Sequence, residues 1–361
     1  MLHLRLIPGR LLPGRLVGTA AATAAILAAG LVPAGSAYAS DGNRGIPDHV
    51  FSPYFQAYTD ANPAQVSKDS GARFLTFAFL QTQTTGSCDI LWNGDPTKPV
   101  ARSTFGPEIA KIRARGGDVI PSFGGFAADD TATEIADSCT DVNKIAEQYE
   151  KVVATYNVTR LDMDIEDKSL DNQAGIDRRN KAIHLAQEWA KRHHRKLEIV
   201  FTIPTAPTGP EPNGINVFAN AVRNGVDVTV VNIMTFDYYD DQAHEMFQDT
   251  RTAADALVGD LRKLYPHRST RQLWHMVGVT EMVGIDDYGS GGETGPKEIL
   301  TLADARDVTR WAAGKDIAEL SFWALGRDNG GCPGTPGADN CSGVAQSPYQ
   351  YTHIMLPFTH N

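Results

Sequence analysis

Three acidic residues alternate with apolar ones near the middle of the chain, in the run LDMDIE that ends at Glu166. In an extended strand, alternate side chains share a face, so Asp162, Asp164 and Glu166 lie on one side, opposite Met163 and Ile165. Because the apolar pair must face a hydrophobic layer, we expect the acids to face the interior of the fold. Burying three carboxylates is costly unless protons are shared, so at least one pKa should be raised. The pattern predicts an acid–base site with Glu166 placed to reach a substrate.

The elements that must position these acids follow a repeating order. From about residue 48, short β-branched and aromatic runs alternate with longer segments that carry one apolar stripe each, which is typical of βα units. Eight such units in about 320 residues predict a single (β/α)8 barrel, a TIM barrel of class α/β, whose chemistry lies at the carboxyl ends of the strands. We place the strands at Val50–Tyr58, Arg73–Leu80, Asp118–Phe123, Val158–Glu166, Leu197–Ile203, Val226–Asp237, Leu273–Thr280 and Glu319–Ala324.

The alternative architecture is a doubly wound open sheet. That fold would favour a glycine-rich phosphate turn after the first strand, and residues 57–63 (AYTDANP) do not form one. A calcium loop beginning at Asp162 would need Gly at its sixth position and Glu at its twelfth, where Asp167 and Gln173 stand. No Cys/His spacing suits zinc, so we expect neither a metal nor a cofactor.

The first 39 residues have the three parts of a secretory signal peptide: arginines without acids, an apolar stretch at 16–32, and a small-x-small triplet ending at Ala39. We expect cleavage there to leave residues 40–361 as an exported catalytic barrel. The formal charge of −10 for the whole chain becomes −13 without the three arginines. Such an acidic protein repels phosphate backbones, so we expect no nucleic-acid partner. We expect no membrane partner either, since no later apolar run approaches the length of a span.

Export also bears on the four cysteines, because an even count in an oxidising compartment favours disulfides. Three pairings are formally possible. Cys332 and Cys341 bracket a turn-rich stretch that can fold back on itself. We therefore favour the pairing of Cys332 with Cys341 and of Cys88 with Cys139.

Four segments resemble motifs of family 18 glycoside hydrolases, the chitinase family. The run 161–166 resembles the end of the DxxDxDxE signature, SFGG at 122–125 resembles SxGG, and MTFD at 234–237 resembles MxYD. Trp323 matches the tryptophan that ends the eighth strand in that family. The fifth-strand run FTIP and the Arg327-Asp328 turn are most similar to secreted bacterial chitinases of the chitinase D type.

The resemblance implies a retaining, substrate-assisted hydrolysis of chitin or chitooligosaccharides. Glu166 would protonate the glycosidic oxygen while the 2-acetamido group of the sugar attacks its own anomeric carbon, giving an oxazolinium ion. Asp164 would orient the acetamido N–H, and Asp162 would hold a proton and tune Asp164. The sugar contacts that it implies are Ser122, Gly124, Gly125, Met234, Asp237 and Trp323.

Two departures from the family pattern concern the site. Thr159 and Arg160 replace the Asp-Gly that commonly begins the signature. Phe236 stands where many members carry a tyrosine, and Tyr238 is the nearest hydroxyl of the same strand parity. Tyr238 is therefore a hypothetical substitute, with plain packing as the alternative.

The loop after the seventh strand bears on the mode of action. Only 17 residues separate Gly284 from Leu302, too few for the small α/β domain that exo-acting members insert there. We therefore expect an open groove and an endo-acting monomer, with further sugar contacts from this region: Met282, Asp286, Asp287 and Tyr288. Two alternatives remain: an endo-β-N-acetylglucosaminidase acting on N-glycan cores, and a non-catalytic chitinase-like lectin, although lectins of the family usually lose the acid at the Glu166 position.

Overall fold

The computed structural model describes residues 45–287, 298–335 and 339–360. The expected signal peptide and Tyr288 lie outside these residues. Nine parallel strands form the main sheet, in the order β1-β12-β9-β8-β7-β6-β5-β3-β2. These strands are β1 (Val50–Phe51), β2 (Tyr54–Gln56), β3 (Phe74–Thr82), β5 (Asp118–Gly124), β6 (Arg160–Asp164), β7 (Glu198–Pro204), β8 (Val230–Met234), β9 (Val277–Met282) and β12 (Glu319–Trp323).

The sheet closes on itself because its two ends are consecutive pieces of one segment. β1 pairs with β12, and β2 pairs with β3, so residues 50–56 act as one interrupted barrel strand. The predicted (β/α)8 barrel is therefore confirmed. Three short strands lie outside the barrel wall: β4 (Ile90–Trp92), antiparallel to β3, and the antiparallel pair β10 (Gly284–Ile285) and β11 (Ile299–Leu300).

Helices surround the barrel between its strands. They are α1 (Pro63–Ser70), α2 (Arg102–Arg113), α3 (Phe126–Asp130), α4 (Ile135–Ser138), α5 (Val142–Tyr156), α6 (Asp167–Asp171), α7 (Gln173–Arg192), α8 (Pro212–Arg223), α9 (Met246–Leu264), α10 (Thr270–Trp274), α11 (Leu302–Lys315) and α12 (Gln350–Met355), followed by a 3₁₀ turn at Leu356–His360. Within the described residues, no helix is both long and apolar enough to cross a membrane.

The approach to β6 shows how local sequence positions the acidic strand. Asp141 caps α5 by accepting from two backbone N–H groups of the first turn. The helix buries a stripe that includes Tyr149 and Val152 against the sheet. It ends at Asn157, whose φ of 52° is the left-handed conformation that Asn tolerates better than most residues. The chain then turns directly into β6.

The sequence-based strand positions need three corrections. The sixth barrel strand is Val230–Met234, shorter at both ends than the predicted 226–237, because Asp237 has a φ of 54° and leaves the extended region. The fourth stops at Asp164, so Glu166 lies beyond the strand as the N-cap residue of helix α6. The seventh begins at Val277, because Ser269 opens the short helix α10 with a capping box.

Both favoured disulfide pairings are confirmed. Cys88–Cys139 ties the segment after β3 to the end of α4, and Cys332–Cys341 closes the turn-rich segment after β12.

Candidate active site

The acidic row lies at the carboxyl end of β6, as strand parity predicts. Met163 and Ile165 belong to the hydrophobic core, whereas Asp162 and Asp164 are on the opposite face and at most 3% exposed. Glu166 stands two residues beyond Asp164, as the N-cap residue of α6, and is half-buried. The three acids therefore form a ladder from the barrel interior to its mouth.

Asp162, the deepest acid, is held by three hydroxyl groups from three other strands. Tyr54 on β2 donates at 2.9 Å, Ser122 on β5 at 2.7 Å and Thr202 on β7 at 2.7 Å. The Thr202 oxygen in turn accepts from the side-chain amide of Asn232 on β8 at 2.9 Å. Burial raises the pKa of Asp162, and the three hydroxyl donors oppose that rise by stabilising its charge.

Asp164 is the acid with an unmet hydrogen-bonding need. Its Oδ1 atom is buried without a hydrogen-bond partner among the described residues. Burial, and then the negative charges of Glu166, Asp162 and Asp129, hold its pKa well above the usual range. A buried polar atom without a partner costs about 1–3 kcal/mol, which a ligand donor placed there would relieve. Asp164 is thus suited to receive a ligand N–H.

Glu166 has the pKa expected of a group that both gives and takes a proton near neutrality. Burial raises this pKa to about 7, with smaller upward contributions from Asp167 and Asp287. The backbone N–H of Phe126 bonds the carboxylate and lowers the pKa. A general acid and base works best when its pKa lies close to the working pH.

A fourth acid, Asp129 in α3, holds the backbone of Glu166. Its Oδ2 accepts the Glu166 N–H, while its Oδ1 is buried without a hydrogen-bond partner in the described chain. Burial, then the charge of Glu134, raises the pKa of Asp129 well above its usual range. Asp129 cannot be chosen over its exposed neighbour Asp130 from the sequence, because nothing in their order shows which one faces β6.

The glycines of the third-strand motif are explained by close approach. A Cβ on Gly124 would lie 2.1 Å from the Asp164 carbonyl oxygen, and one on Gly125 would lie 2.6 Å from the Phe79 ring. Both glycines have a positive φ, at 96° and 83°. Ser122 is fully buried with its hydroxyl on Asp162, so this segment shapes the site from beneath and acts through the acids.

Aromatic and thioether side chains form the floor of the site. Trp323, half-buried at the end of β12, stacks on Phe79 with ring centres 5.7 Å apart and planes inclined by 9°. The Tyr54 ring lies 5.7 Å from the Trp323 ring at an angle. Met234 and Met282 end β8 and β9 and are nearly buried, at 6% and 4% exposure.

Asp237 belongs to a second carboxyl group beside the ladder. Its backbone N–H donates to Asp286 at 2.9 Å. Burial, the hydrogen bond to the Asp286 carboxyl and the nearby charges of Asp286, Asp287 and Glu166 raise the pKa of Asp237 to about 11. Asp237 is therefore protonated at neutral pH. Carboxyl oxygens of Asp237, Asp286 and Asp287 lie within 4.8 Å of one another, a separation that would also suit an oxygen-liganded cation.

Tyr238 and Arg160, the residues concerned in the two departures from the family pattern, both lie away from the acidic ladder's mouth. The Tyr238 ring packs 4.8 Å from His244, and its hydroxyl is buried near Glu281, without a hydrogen-bond partner in the described residues. Tyr238 thus faces the side of α9, away from the acidic ladder. Arg160 is buried at the base of β6 and pairs with Glu319 at 3.0 Å and Glu198 at 3.1 Å.

The structure is a closed parallel barrel of the TIM-barrel class, with a glutamic acid of raised pKa at its mouth above two buried aspartic acids. The family model of glycosyl hydrolases family 18 matches residues 50–352, and the chain belongs to that family. Its family is one of glycoside hydrolases.

Similar proteins carry chitinase names. The chain is 30% identical over 330 residues to a probable bifunctional chitinase/lysozyme of Escherichia coli (strain K12), covering 87% of this chain and 35% of that protein. It is 29% identical over 293 residues to Endochitinase 11 of Metarhizium anisopliae, covering 78% of this chain and 53% of that protein. The chain thus spans about half or less of the length of these relatives.

Among solved structures, active domain 2 of a thermostable chitinase from Pyrococcus furiosus, studied as catalytic-site mutants with chito-oligosaccharides, is similar. It shares 27% identity with a TM-score of 0.76, over 87% of this chain and 96% of that domain.

Proposed function

We propose that this protein is an endo-acting chitinase that hydrolyses β-1,4 links between N-acetylglucosamine units. The observation that carries the proposal is the pairing of Glu166, whose pKa is about 7, with the unpartnered buried oxygen of Asp164. One group supplies a proton, and the other awaits a donor such as an acetamido N–H. The chitinase names of its relatives and the chito-oligosaccharides bound by its structural neighbour support this substrate class.

In the proposed mechanism, Glu166 protonates the glycosidic oxygen, and the acetamido carbonyl oxygen forms a bond to the anomeric carbon as the C–O bond breaks. Asp164 accepts the acetamido N–H and stabilises the oxazolinium ion that results. Asp162, held by its three hydroxyl donors, raises the pKa of Asp164 through its negative charge. Glu166 then takes a proton from water, which opens the ring from the same face and retains the β configuration.

The floor and rim of the site fit a sugar chain. Trp323 offers its free face to the sugar above Met234 and Met282, and the protonated Asp237 can donate to a sugar oxygen. Phe126, next to Glu166, is 57% exposed, and Tyr239 after β8 is 55% exposed. Exposed aromatic side chains at a barrel mouth suit the apolar faces of successive sugars. We further propose that the protein is exported after cleavage at Ala39 and acts as a monomer.

The test uses the protein without residues 1–39, its Glu166→Gln variant and hexameric N-acetylglucosamine. We expect internal cleavage with β-anomers appearing first in NMR spectra, and a loss of at least about 10³-fold in the variant. Binding without cleavage by the unaltered protein would favour a lectin. Cleavage only of a mannosylated chitobiose core would favour an endo-β-N-acetylglucosaminidase.

A further inference from the structure

The end of the barrel opposite the acids carries a separate cluster of ligating side chains. His49 precedes β1, His275 follows α10 just before β9, and Asp316 ends α11 before β12. One nitrogen or oxygen atom from each lies within 4.8 Å of the other two. These residues lie at the amino ends of the strands, whereas the acidic ladder lies at the carboxyl ends. The cluster therefore has no part in the proposed hydrolysis.

The hydrogen bonds of His49 define which of its nitrogens is available. Its Nδ1 lies 2.7 Å from the carbonyl oxygen of Ile317, which can only accept, so Nδ1 carries the hydrogen. Its Nε2 faces Asp316 Oδ1 at 3.0 Å. In a neutral imidazole bonded in this way, Nε2 is an acceptor, and two acceptors in contact repel. The repulsion is removed when a hydrogen or a metal ion lies between the two atoms.

The surroundings of these two atoms resemble the outer shell of a metal site. Metal-binding histidines usually donate their other ring N–H to a carbonyl or carboxylate, as His49 does to Ile317. The second oxygen of Asp316 accepts from Arg271 Nε at 2.9 Å, which fixes the carboxylate and leaves Oδ1 facing His49. The third member, His275, lies with its ring centre 4.9 Å from that of His49, and its imidazole ring makes no hydrogen bond within the described part of the chain.

We propose that His49 Nε2, His275 and Asp316 Oδ1 bind one divalent transition-metal ion, with Zn²⁺ as the reference metal. Two ligands of a tetrahedral Zn²⁺ ion, each about 2.1 Å from it, lie about 3.4 Å apart. His49 Nε2 and Asp316 Oδ1 are 3.0 Å apart, and a ring nitrogen of His275 lies within 4.8 Å of a ligand atom of each, so a movement of the His275 ring must complete the set. Two imidazoles and one carboxylate favour Zn²⁺, Cu²⁺ or Ni²⁺ over Ca²⁺ and Mg²⁺, which prefer oxygen ligands.

The local charge sets the strength of this site. Its single carboxylate also neutralises Arg271, so the ligands bring little net negative charge to the ion. All three ligands are half-buried, and three protein ligands leave a fourth position open to water. We therefore expect a dissociation constant in the micromolar range, well above that of a closed structural zinc site.

The experiment uses isothermal titration calorimetry to measure the binding of ZnCl₂ to residues 40–361, prepared without a histidine tag. The variants are His275→Ala and Asp316→Asn, the second chosen because Asp316 has a φ of 65°, which Asn accepts. The matched control is His267→Ala, an exposed histidine in the turn between α9 and α10. Electron paramagnetic resonance of the Cu²⁺-loaded protein counts the coordinating imidazoles.

We expect one Zn²⁺ per chain in the unaltered protein and in His267→Ala. We expect binding at least tenfold weaker in His275→Ala and Asp316→Asn, and nitrogen couplings from two imidazoles with Cu²⁺. Absence of saturable Zn²⁺ binding in the unaltered protein would overturn the proposal and leave the contact between His49 and Asp316 as a hydrogen bond. Equal affinity in His275→Ala, with its circular dichroism unchanged, would also overturn it.

Discussion

The hydrogen bond from the Glu166 backbone to Asp129 can be tested by two substitutions that differ in one respect. Asp129→Asn keeps an oxygen acceptor for the Glu166 N–H, whereas Asp129→Ala removes it. The carboxyl is buried, one of its oxygens lacks a partner within the described chain, and its pKa is raised well above the usual range. Burial therefore favours the neutral form of Asp129, which Asn resembles in size and charge.

The magnitude follows from the donor that Asp129→Ala leaves unsatisfied. A buried N–H without a partner costs about 1–3 kcal/mol. At about 1.4 kcal/mol per factor of ten, that cost corresponds to a loss of roughly 5- to 150-fold in kcat/KM if Glu166 moves to recover a partner. If Glu166 stays in place, the same cost appears as a lower free energy of unfolding. We expect Asp129→Asn to stay within about threefold of the unaltered protein.

The assay is the steady-state hydrolysis of a fluorogenic chito-oligosaccharide between pH 4 and pH 9, together with thermal unfolding of each variant. Asp130→Asn is the matched control, because Asp130 is the exposed neighbour and its ion pair with Lys168 lies at the surface. The reasoning is refuted if Asp129→Asn loses as much activity as Asp129→Ala, since a charge and not an acceptor would then be needed. Full activity and stability in Asp129→Ala would equally refute it.

Three further predictions concern other parts of the site and fold. The kcat/KM should fall about tenfold per pH unit above roughly pH 7, because Glu166, with a pKa of about 7 in the free protein, must be protonated to act as the acid; a flat profile to pH 9 would contradict this. Gly125→Ala should lower kcat/KM at least tenfold in the fluorogenic assay, since its Cβ would lie 2.6 Å from the Phe79 ring and its φ is 83°; unchanged kinetics would count against that packing. Replacing Cys88 and Cys139 by serine should lower the free energy of unfolding by up to about 4 kcal/mol for a sequence separation of 51, measured by guanidinium denaturation, and an unchanged midpoint would contradict the loop-closure argument.

The sequence is most informative where one strand contains the whole pattern. Strand parity correctly separates Asp162 and Asp164 from Met163 and Ile165, because alternation depends only on the local backbone. The boundaries of β8 are less predictable, since Val226, Val228, Thr235 and Phe236 are buried by packing without belonging to the strand. An apolar run therefore marks burial, and strand pairing is only one of its causes.

The partners of Asp162 were not predicted. Tyr54, Thr202 and Asn232 each stand alone among apolar neighbours on three different strands. Only the closure of the barrel brings their side chains to one carboxyl. The sequence does place these polar residues on the inward-facing side of their strands. Predicting that they share one carboxyl would also require the register between the strands. Asp129 was missed for a related reason, since its contact with Glu166 depends on how α3 packs beside α6.

The stacking of Trp323 on Phe79 has a consequence for the thermodynamics of binding. One face of the indole is already covered, and the supporting ring is itself backed by Gly125. The side chain therefore loses little rotational freedom when a ligand covers its other face, and the cost of ordering it was met during folding. Loss of the supporting ring, as in Phe79→Ala, would leave the direct contact with the ligand in place. The Trp323 side chain would then lose its rotational freedom on binding and not on folding, which weakens the affinity. Such a platform favours association through preorganisation.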